Sequence, residues 1–298
     1  MSEIIVVGSI NVDVSIDVPQ VPKRGETLLG ADIVRGGGGK GANQAVACAR
    51  LGRATAMVGA VGNDADGTWM LQLLAAEDVD TSAVQRLDRS TGQAVILVEP
   101  DGESTIVVSP GANSALGPAD IDRVSDRLAE ARCVLAQQEV SPAVVARAAE
   151  LAGGLFVLNP APARPVDRQT LRHVDVLVPN RHELAGLCGA APSGDEGVLA
   201  AMARTLEGPV AVVVTLGTAG ALVVEGDRAV HVPAVHVEAV DATAAGDTFC
   251  AALVDALLDG ADTVEAARWA VRVAAVTVGR RGAMSAIPYR SEIGLLAG

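Results

Sequence analysis

Short, wholly apolar segments alternate with helical ones along most of this chain, and no other feature narrows the possible folds so far. Residues 4–8, 55–61, 133–136, 155–158, 174–178 and 210–215 read as strands dominated by Val, Ile, Leu and Ala. A strand that is apolar at every position must be buried on both faces, as in a parallel sheet covered by helices. Helical segments fall between the strands, at 42–51, at about 118–130, 141–152 and 195–206, and after Asp64 through Met70, Leu71, Leu74 and Ala75. Neither an internal repeat nor a linker interrupts the 298 residues, so one domain over 1–298 is predicted.

Some segments break this rhythm. Val12, Val14, Ile16 and Val18 alternate with Asp13, Ser15 and Asp17, the pattern of a strand with one wet face. Segments 91–98 and 104–108 flank Pro100-Asp101-Gly102-Glu103 and predict a β-hairpin. Together they suggest a small β-flap, built from about 12–36 and 91–109 and separate from the main sheet. A bare apolar face on such a flap is covered most simply by the same flap of a second copy, so a homodimer is expected. Further on, Glu225-Gly226-Asp227 predicts a second hairpin whose return strand runs over 229–240. A turn at Asp241 then leads to helices at 246–258 and 263–278 and to the polar loop 279–282.

Composition removes several function classes. Trp69, Trp269, Tyr289, Phe156 and Phe249 are the whole aromatic complement, so base stacking has almost no platform. A net charge of −13 repels phosphate backbones, which argues against nucleic acid as a partner. Cys48, Cys133, Cys188 and Cys250 form no C-x-x-C pair and read as reduced thiols of a cytoplasmic protein. Neither a secretory segment nor an apolar run long enough to span a bilayer is found, so no membrane association is expected. His173, His182, His231 and His236 share no ligand spacing, and no G-x-S-x-G elbow occurs.

Two turns carry the chemistry. The first, Gly36-Gly37-Gly38-Gly39-Lys40-Gly41-Ala42-Asn43, contains a formal G-x-G-x-x-G but does not follow the first buried strand, as a dinucleotide fold requires. It also lacks the Walker spacing. What remains is backbone that a ligand can approach closely, with Lys40 and Asn43 as donors, or else a plain loop and helix cap. The second turn is Asp241-Ala242-Thr243-Ala244-Ala245-Gly246-Asp247, where small residues open a helix. Its free amides and helix dipole suit a phosphoryl group in transfer. Asp247 in the first turn could merely offset the dipole; beside an open anion hole, a general base for an attacking hydroxyl is the sharper reading. Asn180 and Glu183 fit either a metal–phosphate contact or an ordinary cap with Glu at its third position. Thr215, Leu216, Gly217, Thr218, Ala219 and Gly220 end a strand where an open α/β sheet can hold a nucleotide. Glu139 follows the strand at 133–136.

With these residues in view, the chain resembles the ribokinase-like carbohydrate kinases of the pfkB family over essentially its full length. The matching pieces are Gly8-Ser9-Ile10-Asn11-Val12-Asp13, Gly38-Gly39-Lys40-Gly41-Ala42-Asn43-Gln44-Ala45-Val46, Pro110-Gly111-Ala112-Asn113, Asn159-Pro160-Ala161-Pro162-Ala163, Pro179-Asn180 and Ala244-Ala245-Gly246-Asp247-Thr248-Phe249. The resemblance implies a ribokinase-like three-layer α/β/α sandwich with a mostly parallel central sheet and a small β-sheet lid. It implies ATP-dependent phosphorylation of D-ribose at its 5-hydroxyl. Within the same fold, 2-deoxyribose, fructose or adenosine are the alternative acceptors; from another class, the alternative is a non-catalytic sugar-binding protein. Asn11, Asp13, Gly38, Gly39, Lys40, Gly41, Asn43 and Glu139 would hold the sugar, with Ala94 and Ile96 closing over it. Asp247 would be the base, and the amides of Ala244, Ala245 and Gly246 the anion hole. Asn180 and Glu183 would act around Mg²⁺, with Thr215–Gly220 and Val271 along the nucleotide. Asp241, Thr243, Thr277, Arg280 and Gly282 match a site for a monovalent cation such as K⁺. Ala286 stands there where the family often has serine, with Ser285 adjacent.

Overall fold

The apolar segments do pair side by side. The computed structural model describes residues 2–100 and 104–294. In it, β1 (Ile4–Val7) lies between β4 (Thr55–Gly62) and β8 (Cys133–Gln137). Outward from β4 comes β5 (Asp80–Leu87). Outward from β8 come β9 (Leu155–Asn159), β10 (Val176–Leu177), β11 (Ala211–Thr215), β12 (Ala221–Glu225) and β13 (Arg228–Val232). Every pair from β5 to β11 is parallel; the β12–β13 hairpin joins the far edge antiparallel.

Successive side chains of β1 explain the layering. Ile4 and Val6 enter one buried cluster, with residues of helices α1 (Lys40–Arg50), α2 (Ala65–Ala76), α9 (Ala245–Leu258) and α10 (Thr263–Val278). Ile5 and Val7 enter the other, against α3 (Pro118–Asp122), α4 (Ser125–Glu130), α5 (Pro142–Leu151), α6 (Arg168–Leu171), α7 (Arg181–Cys188) and α8 (Glu196–Arg204). The result is the expected three-layer α/β/α body, closed by a short α11 (Arg290–Ile293). Each fully buried aliphatic side chain contributes about 1.5–3 kcal/mol, so a core poor in aromatics suffices.

A second sheet has the order β3 (Val34–Gly38), β2 (Asn11–Asp17), β6 (Gly92–Val98), β7 (Ser104–Ser109). It is the anticipated flap, with β2 parallel to β6 and antiparallel to β3. The register sets Asp13 opposite Gly36 and Ala94, and Ser15 opposite Ile96, so Asp13, Ala94 and Ile96 share a face. Val12, on the other face, is fully buried. The hairpin β6–β7 forms as expected, though residues 101–103 of its turn lie outside the described residues. Val34, Val95, Ile106, Val107 and Val108 of this sheet are exposed.

Several elements differ from the sequence reading. The helix expected over 118–130 is broken into α3 and α4, because Val124 leaves the helical conformation with φ −117°. The strand expected over 174–178 shortens to Val176–Leu177; Pro179 beyond it has no amide to donate. The return strand expected over 229–240 stops at Val232, again before a proline, Pro233. Strand β5 is an edge strand of mixed polarity with no apolar run to betray it. The glycine run, expected as flexible backbone leading into a helix, supplies Gly36–Gly38 of strand β3, and Gly39 caps α1. Cys48, Cys133 and Cys250 are buried and Cys188 half-buried, all as free thiols. Among the described residues, no helix is long and apolar enough to cross a membrane.

Candidate active site

The carboxyl ends of β1, β8, β10 and β11 lead to Asn11 and Asp13, Glu139, Asn180 and Glu183, and Thr215–Gly220; the glycine turn enters α1, the segment after β13 leads to Asp241–Asp247 at the start of α9, and Ala94 and Ile96 lie on β6. Close approach explains the glycines. A Cβ at Gly38 would overlap the Asp13 carboxyl. Gly39 caps α1 at φ 88°, a conformation that disfavours side chains, and a Cβ there would lie 2.8 Å from the Asn11 amide. A Cβ at Gly41 would lie 2.6 Å from the Ser9 amide. The turn thus lies against the loop after β1, and Lys40 and Asn43 project from its mouth.

Asn11 is buried and its amide is oriented by Asn113, whose Nδ2 donates to Asn11 Oδ1 at 2.8 Å. Asn113 is itself locked by the backbone of Ile10, accepting from its N–H at 2.9 Å and donating to its carbonyl at 3.1 Å. Glu139 accepts from Ser9 Oγ and, at 3.1 Å, from the Lys40 amide. Burial, followed by the nearby Glu139 and Asp247 carboxylates, raises the Asp13 pKa to about 7. No side-chain or backbone donor reaches the Asp13 carboxyl among the described residues.

Asp247 is held differently. It lies buried in the first turn of α9, where Asn43 Nδ2 donates to Oδ2 and Gln44 Nε2 to Oδ1, both at 3.0 Å. Burial raises its pKa; the Lys40 ammonium and the two amide donors oppose the shift without cancelling it. Burial alone would lower the Lys40 pKa, yet Asp247, Glu139 and Glu183 outweigh it and keep the ammonium charged. A buried carboxylate of raised basicity, held on both oxygens, is suited to taking a proton.

Ala244 caps α9 in the left-handed conformation, φ 60°. The Ala245 amide turns back to the Ala242 carbonyl at 3.2 Å, and the Thr248 amide reaches the Ala244 carbonyl at 2.9 Å. The Gly246 and Asp247 amides have no protein acceptor among the described residues. A Cβ at Gly246 would meet nothing within 4 Å, so the space above these amides is open. Of the expected amides, that of Ala245 is therefore engaged within the turn, while that of Gly246 is free.

Asn180 and Glu183 form a full capping box: Asn180 Oδ1 accepts from the amides of His182 and Glu183 at 2.9 Å, and Glu183 Oε2 from the Asn180 amide at 2.7 Å. The capping alternative is thus realised. Glu183 remains within electrostatic reach of Lys40 and Asp247, and burial raises its pKa. Asn180 bridges to Thr215, which brings Leu216, Gly217, Thr218, Ala219 and Gly220 beside it. Val271 is buried in the α9–α10 layer. Asp241 ties two loops together, accepting from the Thr243 amide at 2.8 Å and the Gly282 amide at 2.9 Å. Burial would raise its pKa, but these donors outweigh it and hold the carboxyl low. The Thr277 carbonyl accepts from the Arg280 amide, and the Arg280 side chain turns to Glu292. Ala286 is fully buried, and Ser285 Oγ faces the Arg281 carbonyl at 3.4 Å. No cluster of three or more His, Cys, Asp or Glu side chains suited to a metal exists among the described residues.

Sequence reasoning missed Ser9, Gln44, Asn113, Gln137 and Asn159. Four of these lie inside the motifs quoted above, so a signal existed without a role attached; Gln137 carried none.

The sequence profile of the "pfkB family carbohydrate kinase" matches residues 1–290. A ribokinase of Haemophilus influenzae is 38% identical over 292 residues, covering 96% of this chain and 95% of the relative. A deoxyribokinase of Salmonella typhi is 37% identical over 293 residues, with 96% and 95% covered. Among solved structures, ribokinase of Arabidopsis thaliana complexed with ribose and ATP superposes with a TM-score of 0.92 at 30% identity, covering 99% of this chain and 98% of that one.

Proposed function

The chain belongs to the pfkB family of carbohydrate kinases, which are phosphotransferases, and from that premise we propose that it transfers the γ-phosphoryl of ATP to the 5-hydroxyl of D-ribose. The observation that carries this reading is the pairing of a buried Asp247 side chain, held on both oxygens, with the unengaged Gly246 and Asp247 backbone amides in the same first turn of α9. Asp247 takes the hydroxyl proton as the oxygen attacks, and the amides meet the charge on the phosphoryl group. Asn11, Asp13, Lys40, Asn43 and Glu139 grip the sugar, with Ala94 and Ile96 on the Asp13 face of the lid closing over it. Because these are polar groups and glycine backbone, no aromatic platform is needed.

The nucleotide lies along Thr215–Gly220, with the apolar Val271 towards its base. Asn180 and Glu183 would hold its Mg²⁺: Glu183 spends Oε2 on the helix cap, and Oε1 has no protein donor among the described residues, so the pair fits a hydrated ion. Such an ion would offset the negative charge of the ATP phosphates. A monovalent cation suits the loop of Asp241, Thr243, Thr277, Arg280 and Gly282, whose donors are carbonyl and carboxylate oxygens. Asp241 holds the two halves of that loop together, and the ion would add positive potential behind the anion hole. The Ala286 side chain offers it no oxygen. The exposed Val34, Val95, Ile106, Val107 and Val108 support a homodimer joined through the lid. Free thiols support a cytoplasmic location, and the charge of −13 speaks against nucleic acid.

Sugar-dependent ADP release tests the reading across D-ribose, 2-deoxyribose, fructose and adenosine. Ribose is expected to give the highest kcat/KM. Preference for another acceptor overturns the substrate, and ADP release that no acceptor stimulates overturns the kinase activity.

A further inference from the structure

Gln44 is unused by the reaction as described, yet it donates to Asp247 and is itself held by Asn159, the first residue of the Asn159-Pro160-Ala161-Pro162-Ala163 motif. Asn159 Nδ2 donates to the Val178 carbonyl at 2.8 Å. A backbone carbonyl only accepts, so it fixes which end of the Asn159 amide faces it and leaves Oδ1 pointing the other way. Gln44 Nε2 donates to that Oδ1 at 3.3 Å and to Asp247 Oδ1 at 3.0 Å, which engages both of its hydrogens. Gln137 Nε2 donates to Gln44 Oε1 from behind. Turned over, the Gln44 amide would set its oxygen against the Asp247 carboxylate and the Asn159 oxygen, and its NH₂ against that of Gln137. The bonds therefore diverge from the Gln44 amide, one N–H going to Asp247 and the other through Asn159 to the Val178 carbonyl. Gln44 and Gln137 are fully buried, so water does not compete.

We propose that Gln44 is a positioning residue for phosphoryl transfer, oriented by Asn159 and Gln137 so that an N–H always faces Asp247 Oδ1. This rests on Asp247 being the base. Asn43 already serves Oδ2, so Gln44 leaves the carboxylate no freedom to rotate away from the sugar hydroxyl. Its donor also favours the charged form that accepts the proton. The other groups that act on Asp247 are Lys40 on α1, Glu139 after β8, Glu183 on α7, Asp13 on the lid and Cys250 on α9. All remain in place in the variants below.

The test is the pH dependence of kcat at saturating ribose and ATP in Gln44→Met, Gln44→Glu, Asn159→Leu, Gln44→Met/Asn159→Leu and Asp247→Asn. Removing a hydrogen bond to a charged group should lower kcat about 10-fold or more in Gln44→Met. Its acid limb should move to higher pH, with ribose KM unchanged. Gln44→Glu keeps the shape but sets a like charge on the base, and should move the limb further up. If Gln44→Met does not fold, Gln44→Glu still decides. Asn159→Leu should cause a smaller loss of the same kind, and the double variant should be no slower than Gln44→Met alone. An acid limb unmoved in the Gln44 variants, or an effect confined to KM, overturns the proposal, and losses that multiply in the double variant overturn the relay through Asn159. An acid limb that survives Asp247→Asn overturns the base reading itself. One that vanishes there yet is unmoved by the Gln44 variants sinks only the role of Gln44.

Discussion

Two carboxylates, one on the lid and one on the body, lie within electrostatic reach of each other, and the protein treats them in opposite ways. Asp247 belongs to the rigid body: its helix packs in the central core, and its oxygens receive amides from Asn43 and Gln44. Asp13 belongs to the lid, where no donor reaches it, and burial together with Glu139 and Asp247 lifts its pKa to about 7. On the proposed reading, the base is organised before substrate arrives. The lid carboxylate is left unsatisfied, and sugar hydroxyls are the donors that would satisfy it. In that proposal, one wall serves chemistry and the other capture.

That contrast can be broken most severely at Asp247. Asp247→Asn should lower kcat about 10²–10⁴-fold with ribose KM little changed; a variant that turns over normally would leave the two walls without distinct roles. Asp13→Ala should act on the other parameter, raising ribose KM at least about 10-fold through the loss of a charged hydrogen-bonding group. A normal KM, measured by steady-state kinetics, would remove Asp13 from capture.

The pH profile sharpens the comparison. Ribose kcat/KM should rise with pH through about 7 as Asp13 in the free enzyme ionises, and Asp13→Asn should lose that rise. The same group has an opposite effect on stability. Its folded pKa lies above its unfolded value of 3.8, so the unfolded chain releases its proton first and stability falls as pH climbs between the two values. Thermal unfolding of Asp13→Asn should therefore occur above the wild-type temperature at pH 8, with the gain fading towards pH 5. Equal melting at pH 8 would show that the lid carboxylate is not strained.

Smaller effects are expected at the support of each wall. Gly38→Ala drives a methyl group into the Asp13 carboxyl and should raise ribose KM more than it lowers kcat. An effect on kcat alone would mean that the glycine turn serves the base instead. Val107→Asp on the exposed face of β7 should convert a dimer to a monomer in light scattering while the body of the protein melts as before. An unchanged mass would retire the lid as the dimer contact.

Much of this was legible along the chain because the signals were local. Strands apolar at every position announced the central sheet, and the alternation around Asp13 placed that residue on the wet face of a separate strand. The run of small residues before Asp247 announced an unobstructed helix start. Strand β5 escaped because an edge strand has one half-wet side and no continuous apolar run. Strand β3 escaped because glycines have weak strand preference; they are tolerated because Asp13 and Met284 approach their backbone closely.

The orienting partners were hidden for a different reason. Gln44 and Asp247 are 203 positions apart, Asn11 and Asn113 102. Asparagine and glutamine also occur everywhere on protein surfaces, so nothing in their neighbourhood marks them. The sequence by itself determined the layers, the lid and the two turns, since hydrophobic period and backbone freedom act between near neighbours. Only the tertiary structure decided that one aspartate is held on both oxygens and the other is left waiting. Buried hydrogen bonds are set by which distant segments the closed core brings within about 3 Å of one another.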